Sequence, residues 1–241
     1  MIFDNPKPLV DSTAILNGIQ KEVHKLLKPL GFRKFGRTEH RFVDGDISQV
    51  VNFQLGQAYL GASHLLTVNI AIGVPECMYH LMGRQVETKK YYKEYECNIR
   101  SELGIIEGKK ESVYDLRKPV ESIIADILRQ LNGTVLPAFE VLSSREAILD
   151  HRREYPQFDR LNNHLILREE AMMLRHMDDP RGATSKYDAY LLDKLHEKPR
   201  RGVTLGNRQG WLEAALKIAG RSDISVSDDV LNECKKFLEM T

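Results

Sequence analysis

The sequence predicts an α+β protein: an antiparallel β-sheet of about four to five strands packed with helices, followed by an all-helical C-terminal subdomain. Three observations predict this class. The chain opens with a helical apolar pattern, continues with runs of strand-like alternation, and shows only helical spacing beyond residue 156. Since strands and helices are grouped rather than alternating, a layered α+β fold is favoured over a parallel α/β fold. We place the domains at 1–155 and 156–241.

The first elements are a helix and three strands. Apolar residues fall on one helical face over 12–28. The Asp-Gly pair at 44–45 predicts a tight hairpin turn, because glycine accepts the positive φ that such a turn requires. We therefore expect strand 32–43 to pair antiparallel with strand 47–56, and strand 64–74 to follow as the next neighbour.

The following segments predict two further strands and several helices. The stretches "CNIRSELGI" and "SVYDLRK" are read as strands. A second helix over 119–131 begins with proline in its first turn and is expected to end at Asn132-Gly133. Both this helix and the first should pack against the sheet. Beyond Tyr155-Pro156, apolar spacing predicts four helices.

The overall composition and charge limit the binding partners and the cellular location that we expect. The net charge is +1 and the pI about 7.7, so any attraction to nucleic acid or to an acidic membrane must come from a local patch. The three cysteines are too few and too scattered for a disulfide framework and fit a reducing compartment. With no signal peptide pattern and no apolar run long enough for a membrane span, we expect a cytoplasmic protein that does not bind membranes.

Three stretches carry a resemblance to a known family. They are "LKPLGFRKFGRT", "GDISQVVNFQLG" and "HLLTVNIAIGV", and the later "ECNIRSELG" and "VLPAFEVLSSREAIL" continue it. Together they resemble a bacterial family, domain of unknown function 4304, over about the first 150 residues. Glu39 stands where such proteins often carry an aromatic residue. The resemblance implies a fold and assigns no catalytic residues.

An arginine stripe on strand 32–43 is the main candidate binding feature. With a side-chain period of two, Arg33, Arg37 and Arg41 should share one face, spaced about 13 Å apart, which suits an extended acidic surface or a row of phosphates. The alternative is that they only cover the solvated face of a sheet. If Arg37 and Arg41 face solvent, replacing both with alanine should leave the thermal stability nearly unchanged while weakening capture of a partner; unchanged capture would show that the stripe is only the solvated side of a sheet.

Amide side chains on the next two strands form the second candidate. Asn52, Gln54 and Asn69 lie on one polar face, and together with the arginines they would present a surface suited to carboxylate or phosphate. The alternative is structural. Buried amides need hydrogen-bond partners, so Asn52 and Asn69 would form a ladder that sets the strand register.

Metal and cofactor motifs are weak. Cys77, His80 and Cys97 do not make a four-ligand zinc set, so we expect no metal and no cofactor. Glu87 in "VETK" matches the Glu-x-Lys of some metal-dependent nucleases, a pattern of low specificity. "EKPRRG" at 197–202 is a basic run able to contact phosphates, and its default interpretation is a solvated linker.

The favoured function is a non-catalytic interaction module that binds a protein partner through the sheet face and the helical tail. Two alternatives stay open. One is a metal-dependent hydrolase or nuclease-like enzyme, and the other is a nucleic-acid binding protein that uses local arginine patches such as Arg33, Arg37 and Arg41.

Overall fold

The computed structural model of the chain describes residues 11–56, 63–81, 89–108, 113–158, 165–196 and 205–239. The chain forms two compact units. The first, here called the sheet unit, contains the described residues up to Met78 and those from 89 to 158. The second, the helical unit, contains residues 79–81 and the described residues from 165 onward. The domain boundary at residue 156 stays a prediction.

The sheet unit is built on one antiparallel sheet. Its strands in the described ranges are β1 (Arg33–Phe35), β2 (Thr38–Val43), β3 (Ile47–Leu55), β4 (Leu65–Gly73), β5 (Ile99–Glu102) and β6 (Val113–Asp115). Their order is β1-β2-β3-β4-β5, and β6 pairs with the first residues of β4. The predicted antiparallel order of β2, β3 and β4 is confirmed, as are the strands expected in "CNIRSELGI" and "SVYDLRK".

The predicted single strand over 32–43 is wrong. The segment forms two strands, β1 and β2, joined by a turn at Gly36-Arg37. Gly36 has φ +60° and Arg37 does not have positive φ, the combination of a two-residue hairpin turn with glycine in its first central position. This second hairpin signal stands beside the Asp-Gly turn at 44–45, where both residues do have positive φ as expected.

The sheet unit also contains helices. They are α1 (Ser12–Leu27), α2 (Pro75–Leu81, whose residues through Met78 belong to this unit), α3 (Leu103–Ile106), α4 (Val120–Gln130), α5 (Leu136–Val141) and α6 (Arg145–His151). The expected helix end at Asn132-Gly133 is wrong, because a π-helical turn over Leu131–Val135 carries the chain on into α5. Leu131 and Val135 are buried, so apolar packing outweighs the helix-breaking preference of Asn-Gly.

The two faces of the sheet have different roles. One, here called the helix face, carries Glu39, Gln49 and Val51, and it meets α1 through His24 and α5 through the carbonyl of Phe139. The other, here called the amide face, carries the residues that alternate with these along the same strands. Part of the amide face is covered by a small apolar cluster of Val50, Ala71, Met78, Tyr92 and Cys97.

The helical unit contains the four predicted helices. They are α7 (Ile166–His176), α8 (Pro180–His196), α9 (Leu205–Arg221) and α10 (Asp228–Glu239). Tyr187 donates a hydrogen bond of 2.8 Å to the carbonyl of Ala215, and Tyr190 lies edge to face between Tyr187 and Trp211. None of the helices in the described ranges has the length and apolar character needed to cross a membrane.

Candidate functional site

The structure separates the three arginines of the predicted stripe. Arg33 pairs with His40 and lies on the amide face, whereas Arg41 pairs with Gln49 and lies on the helix face. Arg37 occupies the turn between β1 and β2. The prediction that they share one face is wrong, because the two-residue turn at Gly36 interrupts the alternation on which it depended.

Arg41 is engaged within the fold rather than facing solvent. Its Nε donates to Gln49 Oε1 over 2.8 Å, and its Nη1 donates to the carbonyl of Leu30 over 2.8 Å. Its Nη2 pairs with Glu140 at 2.7 Å, and the guanidinium lies 4.8 Å from the ring centroid of Phe32. Only 11% of the side chain is exposed, so Arg41 does not meet the condition under which its replacement would leave the stability unchanged.

The predicted amide residues form a connected ladder on the amide face. Asn52 Nδ2 donates to Thr38 Oγ1 over 2.9 Å. Asn69 Nδ2 donates to Asn52 Oδ1 over 3.4 Å and to Gln54 Oε1 over 3.2 Å. Asn52 and Asn69 are direct cross-strand partners, so these bonds favour the observed register of β3 and β4, as the structural alternative expected. A binding role for these amides stays a prediction.

An open groove of about 750 Å³ lies beside the edge strand β1, and we call it the edge groove. It is lined by Gly31, Arg33, Lys34, Phe35, His40, Arg41, Phe42 and Lys90. Strands β1 and β2 supply most of this lining, and the segment that leads into β5 supplies Lys90. Arg33 and Arg41 therefore meet at one groove although they start from opposite faces of the sheet.

Aromatic rings form the apolar part of the edge groove. Phe35 stacks on Tyr91 with ring centroids 4.4 Å apart and planes 8° apart. Phe42 meets His40 edge to face at 4.5 Å and Tyr92 at 6.0 Å. Phe42 keeps 39% of its surface exposed, so it offers apolar area to a bound molecule.

Three exposed cations line the edge groove beside these rings. They are Arg33, Lys34 and Lys90. Within the described ranges none of them makes an ion pair or a side-chain hydrogen bond. Lys34 also favours the ionised form of Glu39, its cross-strand neighbour on the helix face. The groove therefore presents positive charge that is not neutralised by a direct contact in the described part of the chain.

His40 adds no charge to the edge groove at neutral pH. Its side chain is 2% exposed, and burial lowers the pKa of His40 to about 4. Its Nε2 is buried without a hydrogen-bond partner among the described residues. The buried imidazole is thus neutral at pH 7, and the groove cations without a direct ion pair in the described ranges are the exposed Arg33, Lys34 and Lys90. Arg41, the other cation of the lining, is paired with Glu140.

Sequence reasoning missed Lys34, Phe42 and Lys90 as site residues. A usable signal existed for Lys90, which stands in "KKYYK", where lysines flank a pair of tyrosines and so combine positive charge with aromatic rings. Lys34 was excluded by the assumption that 32–43 is one strand. Only the hairpin makes the short strand that carries Arg33 and Lys34 the edge of the sheet.

The other candidate groups receive no further support. Glu87 and the basic run 197–202 lie outside the described residues, as does the side chain of His80. Cys77 and Cys97 are buried thiols that form no disulfide. The described ranges contain no cluster of three or more His, Cys, Asp or Glu residues able to hold a metal ion. The expected absence of metal stays a prediction.

Comparison with known proteins identifies one family. The family described as "Domain of unknown function (DUF4304)" matches residues 23–141, a range that holds the C-terminal end of α1, all of β1 to β6 and the whole lining of the edge groove. The resemblance inferred from the sequence motifs is confirmed. Searches of curated proteins and of solved structures found no match to the chain.

Proposed function

We propose that this chain, whose residues 23–141 are a DUF4304 domain, is a non-catalytic binding module whose edge groove takes an acidic segment of a partner protein. One observation carries the proposal: three exposed cations with no direct partner among the described residues surround an aromatic groove. Carboxylates of the partner would pair with Arg33, Lys34 and Lys90. An apolar side chain between them would be buried against Phe42.

The size of the edge groove supports a segment as its occupant. A volume of about 750 Å³ accommodates a few side chains. Rim ion pairs contribute at most about 1 kcal/mol each, so affinity would come mainly from the apolar side chain, and the cations would select acidic partners. The binding site proposed is confined to the sheet unit, because the edge groove and its exposed cations belong to that unit.

A protein segment fits the groove better than a nucleic acid does. Three phosphate contacts would give a single strand a salt slope of only about −2, which corresponds to weak electrostatic binding at physiological salt. The net charge of +1 adds no long-range attraction. The neutral aromatic interior suits an apolar side chain. The hydrolase alternative depends on Glu87, which lies outside the described residues.

The test is selection of random linear peptides displayed on phage against the purified full chain. We expect enriched peptides to carry Asp or Glu beside an apolar residue, and the variant Arg33→Ala/Lys34→Ala/Lys90→Ala to lose them. The matched control is Lys118→Ala/Lys217→Ala/Arg221→Ala, which removes the same charge from exposed positions outside the groove.

Three outcomes would overturn the proposal. They are a failure to enrich any peptide, enrichment of peptides without acidic residues, and equal loss of binding in the control variant. Binding of an oligothymidylate with a steep salt dependence, lost in the groove variant, would replace the proposal with nucleic-acid binding.

We also propose a cytoplasmic location. Cys77, Cys97 and Cys234 are buried and form no disulfide, as suits a protein that works in a reducing compartment. Fractionation of the native host, with the chain detected by antibody, tests this, and recovery from a secreted or membrane fraction would contradict it.

A further inference from the structure

We infer that the partner segment binds in the edge groove as an added β-strand along β1. This inference rests on the proposed function and specifies how the acidic segment is held. β1 is the terminal strand of the sheet, so one of its sides has no neighbouring strand in the described ranges. Strand addition at such an edge supplies main-chain hydrogen bonds, while alternate side chains supply selectivity.

The register of the β1–β2 hairpin shows which backbone groups face outward. Phe35 and Thr38 close the two-residue turn, so they form a hydrogen-bonded pair. The Phe53 N–H donates to the carbonyl of Arg37 over 2.9 Å, which places the main-chain groups of Thr38 on the side away from β3 and towards β1. Since hydrogen-bonded pairs alternate, the N–H and C=O of Lys34 point away from β2, towards the open side.

The side chains around this edge indicate the chemistry of the added strand. Arg33 lies on the amide face and Lys34 on the helix face, so cations stand on both sides of the edge. Residues of an added strand alternate between the same two faces. The segment that fits is extended and acidic on both faces, with acidic residues next to Arg33 and Lys34.

The test compares two substitutions at one position. Lys34→Ala removes the ammonium and keeps the outward N–H, whereas Lys34→Pro removes both. Proline is tolerated on edge strands where the N–H faces outward, and circular dichroism will show whether the two variants melt alike. The probe is the pool of phage-displayed peptides enriched on the wild-type chain. We expect the pool to bind Lys34→Pro at least tenfold more weakly than Lys34→Ala.

A second measurement covers the case in which Lys34→Pro does not fold. Amide hydrogen exchange at Lys34 in the wild-type chain should slow at least tenfold when a synthetic peptide from the enriched pool binds. Equal binding to Lys34→Ala and Lys34→Pro, or unchanged exchange at Lys34, would overturn strand addition while leaving the groove as the binding site. If the wild-type chain enriches no peptide at all, the proposed function itself fails.

Discussion

Replacing Arg41 with alanine should strongly destabilise the sheet unit. The change removes the donor to Gln49 Oε1, a buried acceptor, and the donor to the carbonyl of Leu30. Bonds to charged donors contribute about 1.5–3 kcal/mol each. The contact with the Phe32 ring adds about 0.5–1 kcal/mol, and the pair with the exposed Glu140 adds little. Because such terms are not additive, we expect a loss of about 3 kcal/mol.

Hydrogen exchange measured by mass spectrometry is the appropriate assay. Trp211, the single tryptophan of the chain, lies in α9 of the helical unit, so its fluorescence does not report directly on the sheet. Peptides that cover β3 contain Gln49 and the core residue Val51. A loss of about 3 kcal/mol corresponds to exchange roughly 100-fold faster than in the wild-type chain.

The matched control is Arg37→Ala. Arg37 belongs to the same predicted stripe, but its side chain is exposed in the turn, so exchange in β3 should change by less than about threefold. If Arg41→Ala and Arg37→Ala leave exchange equally close to the wild-type rate, the contacts of Arg41 contribute no net stability and the reasoning is refuted.

Three further predictions concern buried charge in the sheet unit. The lowered pKa of His40 contributes stability that is present above about pH 6.5 and is lost as the pH falls towards 4. In urea unfolding, the free energy of unfolding of the wild-type chain should therefore fall by about 2 kcal/mol between pH 7 and pH 5. The variant His40→Gln should lack this pH dependence, and the control His176→Gln, at an exposed histidine, should keep it. Burial raises the pKa of Glu39, so the stability that its protonated form contributes at low pH is lost as the pH rises. Because glutamine is neutral like the protonated acid, Glu39→Gln should unfold at an equal or higher urea concentration than the wild-type chain at pH 7. A much lower unfolding midpoint of the variant at pH 7 would contradict this. Arg145→Ala leaves the carboxylates of Asp46 and Glu76 without the guanidinium that they share. Hydrogen exchange in β3 should then become roughly 100-fold faster. An unchanged exchange rate would show that these ion pairs add no stability.

The order and type of most elements could be predicted because they depend on local patterns. Strand alternation over 47–56 and 64–74 and the Asp-Gly turn determine how β2, β3 and β4 pair. The amide ladder follows from the same register, since Asn52 and Asn69 become cross-strand partners once the turn is placed. Apolar spacing likewise identified the four helices of the helical unit.

Where the sequence-based prediction failed, the cause was the competition between a local signal and its surroundings. The Asn-Gly pair at 132–133 signals a helix end, but burial of Leu131 and Val135 keeps the chain helical through a π-turn. Gly36 signals a turn, but a continuous strand pattern around it hid that signal. Such conflicts are resolved by packing, which a pattern of single residues does not contain.

The sequence by itself therefore determined the α+β class, the antiparallel order of β2, β3 and β4, and the family resemblance. Only the tertiary structure decided which face of the sheet each cationic side chain lies on and which groups it contacts. A two-residue turn assigns Arg33 and Arg41 to opposite faces, and Arg41 pairs with Glu140, a residue 99 positions away along the chain. Lys90 joins the edge groove because its segment lies beside β1. The physical reason is that an exposed and a buried arginine have the same local sequence pattern. Whether a guanidinium finds hydrogen-bond and ion-pair partners depends on segments that are distant along the chain.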